Sequence, residues 1–117
     1  MASSLTQPAF WVLTALANQR RHGYEIMRDA TVASGGRVSL KVTTLYAVLE
    51  RLEREGLVTA DGEEIVSGRA RRYYRITEEG SVRLADEVVA LEQLIQVARA
   101  RLATHRFAFI AQKVVPT

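Results

Sequence analysis

Four arginines, Arg69, Arg71, Arg72 and Arg75, fall in the short stretch from Ser67 to Ile76, with no acid among them. Guanidinium groups fork onto phosphates and fit narrow minor grooves, so such a run suits a polyanion. A second group, Lys41, Thr43, Thr44 and Tyr46, opens a helical pattern with small, hydrogen-bonding side chains. At the start of a groove-entering helix, Thr44 and Tyr46 would touch phosphates or bases. Tyr24, opening another helical stretch, is placed to reach a nucleic-acid backbone. Glu50 would accept from a cytosine amine or pair with Arg54 four residues on, and Arg51 would pair with Glu55 or meet a phosphate.

Catalytic chemistry finds no foothold. The chain has no GxSxG, HExxH, phosphate-cradling glycine loop or cleft-forming carboxylate pair. Asp61-Gly62-Glu63-Glu64 lacks the ligand count and spacing of a metal loop and reads as a solvated turn. His22 and His105 stand alone, as a loop residue and a helix-end residue. With no cysteine, disulfides and thiolate sites are excluded. Neither metal nor cofactor is expected.

Those residues need a scaffold, and 117 residues make about one domain. Hydrophobic residues at 48% and charged residues at 25% are ordinary for a globule. No apolar run approaches the roughly 18 residues of a membrane span, and a cytoplasmic protein is the simplest expectation. The net charge of +3 names no partner, but its distribution does. Acids gather at Asp61, Glu63 and Glu64 and again at Glu78, Glu79, Asp86, Glu87 and Glu92, away from the arginine run.

The spacing predicts a first helix over 8–18, capped by Thr6 or Gln7 and apolar nearly all round. Such a helix must bury two faces, so Phe10 and Leu13 are candidates for a surface covered by something outside its own domain. A basic loop over 18–23 leads to a second helix over 23–34, ended by Gly35-Gly36. A third helix, over 42–55, places Leu45, Val48, Leu49 and Leu52 on one face. Thr43, Tyr46, Ala47, Glu50 and Arg54 take the other. A hairpin follows, with 57–60 and 65–66 on one side, 67–70 at the tip and 71–76 returning; Tyr73 and Tyr74 read as core or wing packing.

Thr77 then caps a long helix over 78–104, whose length of about 40 Å exceeds the ~30 Å of a compact domain. Leu84, Val88, Leu91, Ile95, Ala98 and Leu102 lie along one face of it. A second copy of the chain is the simplest cover, which makes these six, with Phe10 and Leu13, the expected dimer interface. The space between two such helices would admit a small apolar effector, with Phe10, Trp11 and Phe107 as its only nearby aromatics. Residues 105–117 either prolong the helix or fold back.

Three helices and a hairpin in this order predict a mainly α protein with a small β-hairpin. The architecture is a winged helix-turn-helix over 1–76, then a dimerisation helix and tail over 77–117. The stretches His22-Gly23-Tyr24-Glu25-Ile26, Thr44-Leu45-Tyr46, Leu49 to Val58 and Arg71 to Gly80 resemble the PadR family of transcriptional regulators. The resemblance spans 7–102. It implies a dimeric repressor on double-stranded DNA, of the smaller subfamily with one C-terminal helix, whose first helix packs on the partner's last. Phosphate contacts would fall to Arg69, Arg71 and Arg72. Lys41-Val42-Thr43 departs from the family's usual Ser, then Pro or acid, then Gly or Ala. Either Thr43 caps a shortened helix or Lys41 serves phosphate, since Lys caps poorly. A winged helix that binds protein instead of DNA is the rival reading, and it needs no acid-free basic wing.

Overall fold

The computed structural model describes residues 4–114, with side chains to Arg106. Its elements are α1 (Gln7–Leu16), β1 (Arg21–His22), α2 (Gly23–Ala33), α3 (Val42–Arg54), β2 (Val58–Val66), β3 (Arg69–Ile76) and α4 (Glu78–Val114). The chain divides after Ala85 into two units. The first holds α1 to β3 and the opening turns of α4, and the second is the rest of α4.

Local chemistry sets each boundary. The Ala9 amide donates to the Thr6 hydroxyl at 3.3 Å, and Pro8 sits in the first turn, where its missing amide costs nothing. Both α2 and α3 end in paired capping bonds. The Gly36 and Gly35 amides donate to the Thr31 and Val32 carbonyls, and the Leu57 and Gly56 amides to those of Leu52 and Glu53. Gly56, at φ 75°, provides the left-handed residue that this stop requires. Lys41 occupies the cap position of α3 without a side-chain bond, and the helix starts at Val42. Thr43 is therefore inside the helix and is not its cap.

The core is one cluster. Val12, Leu13 and Leu16 of α1 meet Ile26 of α2, then Leu45, Leu49 and Leu52 of α3, Val58 of β2 and Tyr74 of β3. Each fully buried aliphatic side chain contributes roughly 1.5–3 kcal/mol over its exposed state. Leu13, expected at the dimer interface, is completely buried here and presents no surface to a second chain. Leu84 is half-buried against the same core.

The sheet has three antiparallel strands in the order β1-β3-β2. Residues 18–23 read as loop, yet Arg21 and His22 pair with Tyr74 and Tyr73. A two-residue strand carries no periodicity, so only tertiary contact reveals it. The acidic segment 61–64 is not a solvated turn either. It lies within β2, where a bulge between Ala60 and Glu63 absorbs Gly62 at φ 92°. The wing turn is just Ser67-Gly68, both at positive φ, so Arg69 and Ala70 belong to β3.

The start of α4 is latched to the end of α3. The Thr77 amide donates to the Leu57 carbonyl at 3.0 Å and its hydroxyl to the Gly56 carbonyl at 2.6 Å. The same hydroxyl accepts from the Gly80 amide at 3.0 Å, which makes Thr77 the expected cap. Gly80 is buried, and a Cβ there would run into the Leu57 carbonyl oxygen. The helix then continues without a break to Val114, so it prolongs itself past residue 104. Phe107 lies beyond the described side chains.

Candidate nucleic-acid interface

One face of α3 is buried and the other is free. Leu45, Leu49 and Leu52 are sealed in the core, Thr44, Val48 and Glu53 are half-buried, and Thr43, Tyr46, Ala47, Glu50 and Arg54 face solvent. Thr43 and Tyr46 are thus available to a groove, while Thr44 sits at the edge. Tyr46 is 50% exposed and its hydroxyl lies over Gly23, where an added Cβ would come within 2.8 Å. That contact holds the Tyr46 ring beside the first turn of α2, where Tyr24 is 66% exposed. Lys41 is exposed at the start of α3. The helix pairs its own charges: Arg51 with Glu55 at 3.1 Å and Arg54 with Glu50 at 3.4 Å. Both are exposed pairs worth well under about 1 kcal/mol, readily exchanged for another partner.

Strand alternation splits the wing arginines between two faces. Ala70, Arg72 and Tyr74 share the face that Tyr74 packs into the core. Arg69, Arg71, Tyr73 and Arg75 share the other. All four arginines are exposed. Arg72 reaches back to α3, with its Nη2 atom 3.8 Å from Glu53 and its guanidinium 5.6 Å from the centre of the Tyr74 ring. It braces the wing against α3. Glu63 and Glu64 stand opposite Arg72 and Arg71 across the ladder, so the acid-free run in sequence has acids beside it in space.

A second brace was not anticipated. The Arg20 guanidinium lies 4.2 Å from the centre of the Tyr73 ring, and its Nη1 atom donates to the Asp61 carbonyl at 2.7 Å. Tyr73 donates its hydroxyl to Glu64 at 2.9 Å, and the His22 ring meets Tyr73 edge-on at 5.3 Å. The bond to Glu64 raises the Tyr73 phenol above its usual value of 10.0; burial does the same to Tyr74. His22 is no loop residue. It is buried at the cap of α2, where its Nδ1 atom accepts from the Glu25 amide and the Glu25 carboxylate accepts from the His22 amide. The sequence carried this signal as a cap residue followed by Glu three positions on, but histidine is not among the usual cap residues.

Of the remaining expected interface residues, Phe10 is half-buried and packs edge-on against Trp11 at 5.3 Å. Leu91 is half-buried, and Val88, Ile95, Ala98 and Leu102 are exposed. Among the described residues, no cluster of His, Asp or Glu could hold a metal ion, and no helix is long and apolar enough to cross a membrane.

A free helix face beside a two-stranded arginine-bearing wing defines a winged helix-turn-helix. Residues 12–86 match the transcriptional regulator PadR-like family, and the chain belongs to it. Over 83 residues it is 39% identical to transcriptional regulator Rv3488 of Mycobacterium tuberculosis, covering 71% of this chain and 74% of that one. A PadR family transcription regulator from Clostridium difficile superposes with a TM-score of 0.70 at 26% identity, over 83% of this chain and 99% of that one. Bacillus subtilis PadR, solved in complex with operator DNA, shares the fold with a TM-score of 0.62 at 24% identity, over 69% of this chain and 47% of that one. Members of the family are transcriptional regulators, so the chain is assigned to regulation and not to catalysis.

Proposed function

We propose that the protein is a cytoplasmic homodimeric repressor that binds double-stranded DNA at a pseudo-palindromic operator. In this reading α3 enters the major groove and Thr43, Thr44 and Tyr46 meet bases or adjoining phosphates. Lys41, Tyr24, Arg69 and Arg71 hold the backbone, and Arg72 divides its charge between phosphate and Glu53. Two α3 helices related by a two-fold axis call for half-sites about one helical turn, ~10 bp, apart. A small apolar effector, seated between the two α4 helices, would release the operator by shifting that spacing. The observation that carries the reading is the solvent-facing side of α3, left bare beside exposed wing arginines while its other side is sealed in the core.

The test is fluorescence anisotropy with DNA flanking the protein's own gene. Binding should weaken steeply between about 50 and 200 mM salt, with a slope that counts the phosphates neutralised. The rival reading, a wing that binds protein, draws support from Glu63 and Glu64 beside the arginines. Absence of salt-dependent DNA binding would favour it.

A further inference from the structure

We propose that Gly23 is a positioning residue for DNA discrimination: its missing side chain fixes where the Tyr46 hydroxyl points, and so which base pairs α3 accepts. This rests on the DNA-binding reading above and deepens it. Two consecutive residues of α3 come up against the first residue of α2. A Cβ on Gly23 would stand 2.8 Å from the Tyr46 hydroxyl oxygen, 3.3 Å from Cδ2 of Leu45 and 3.4 Å from the ring carbon Cζ of Tyr46. Leu45 is completely buried and has little room to move, whereas Tyr46 is half-exposed and can swing outward. A methyl at position 23 therefore drives out the tyrosine and leaves the packed core in place.

The backbone makes no demand for glycine at this point. The glycines at positive φ are Gly35, Gly36, Gly56, Gly62 and Gly68, and Gly23 is not among them. By helix propensity alone, alanine would suit the position better. What the bare Cα provides is a seat for the tyrosine. The Tyr73 hydroxyl is engaged by Glu64, but that of Tyr46 has no hydrogen-bond partner among the described residues, so both its donor and its acceptor are open to DNA. A hydrogen bond weakens steeply with distance and angle. A hydroxyl held at one place thus tells one base-edge pattern from another, while a ring free to swing also settles on phosphates, which every sequence offers. Seating the ring in advance also removes the cost of ordering it when DNA arrives.

A double-mutant cycle in the full chain, read by anisotropy on the operator-bearing duplex and on a random duplex, tests this. Gly23→Ala should weaken operator binding by about five- to thirtyfold, the range of one well-aimed base contact. Random-duplex affinity should stay within about twofold, with the salt slope unchanged, because no phosphate contact is lost. In a Tyr46→Ala background, Gly23→Ala should add less than about twofold. Tyr46→Phe removes the one oxygen nearest the added methyl, so Gly23→Ala should change little there too. A loss of equal size in all three backgrounds, an equal loss on both duplexes, or an unchanged operator affinity overturns the proposal. So does a Gly23→Ala protein that fails to fold or has a lower urea midpoint, since the core would then have yielded in place of the tyrosine. A second measurement needs no DNA. The ring resonances of Tyr46 in the NMR spectrum, assigned by their loss in Tyr46→Phe, should shift in Gly23→Ala while those of Tyr73 stay. A parent protein that binds no DNA fails the reading on which this rests; an unmoved ring in a parent that does bind DNA fails the positioning role alone.

Discussion

Among the glycines, Gly80 has the least room for a side chain. Its Cα passes so close to the Leu57 carbonyl that even one methyl must displace backbone. Gly80→Ala is expected to lower unfolding free energy by about 1–3 kcal/mol, despite alanine's better helix propensity. Urea denaturation with an unchanged m-value would confirm it. Tyr73 makes a different kind of prediction. Its folded phenol holds its proton more tightly than the unfolded chain's does. The stability this represents is complete below pH 10 and is lost as pH rises through the raised folded value. Tyr73→Phe should therefore show a flatter fall in stability above pH 10, measured by thermal melts across alkaline pH. The wing arginines should separate too. Arg69→Ala should reduce the salt slope of DNA binding by about one and weaken operator and random DNA alike. Arg72, already engaged by Glu53 and Tyr74, should change the slope less. Tyr46→Ala should weaken the operator more than random DNA.

At the scale of elements, the wing turn is the weakest local match between residue and conformation. Ser67 sits at φ 52° in a two-residue turn whose preferred residues are Asn and Gly. Ser67→Asn or Ser67→Gly should stabilise the hairpin by roughly 0.5–1 kcal/mol, read as a higher melting temperature with unchanged DNA affinity. What was legible in the sequence follows from periodicity. The α3 pattern separates Leu45, Leu49 and Leu52 from Thr43, Tyr46 and Glu50, and the structure places them on opposite faces as expected. What was not legible depends on contacts distant in sequence. Arg21-His22 becomes a strand only because Tyr73 and Tyr74 lie alongside. Arg20 becomes a brace because the bulge at Gly62 brings the Asp61 carbonyl to it. Glu63 and Glu64 suggest a turn because polar residues are poor strand formers, yet the pairing with β3 carries them through. Leu13 was misassigned because an all-round apolar helix does not say which side its own domain takes.

At the scale of the molecule, two features decide what the chain can do alone. The first unit closes a core from three helices and a sheet, and so can present α3 and the wing without a partner. The second unit is one helix whose described apolar side chains are largely solvent-exposed, an arrangement that a single copy in water does not favour. DNA affinity and dimerisation should accordingly be linked. A variant that weakens the dimer should weaken operator binding more than binding to a single half-site, since only the operator engages both copies. Comparing full-site and half-site DNA for Leu102→Asp, a change on the exposed apolar stripe, would measure that linkage directly.

The Ser67-Gly68 turn has one more consequence, a matter of ageing. Asn-Gly would suit the backbone better, but asparagine before glycine cyclises readily to a succinimide and opens to aspartate or isoaspartate. A fresh carboxylate would then grow at the tip of the wing, next to Arg69. Serine cannot undergo that chemistry. The slightly mismatched Ser-Gly turn is thus one that cannot gain a charge by deamidation.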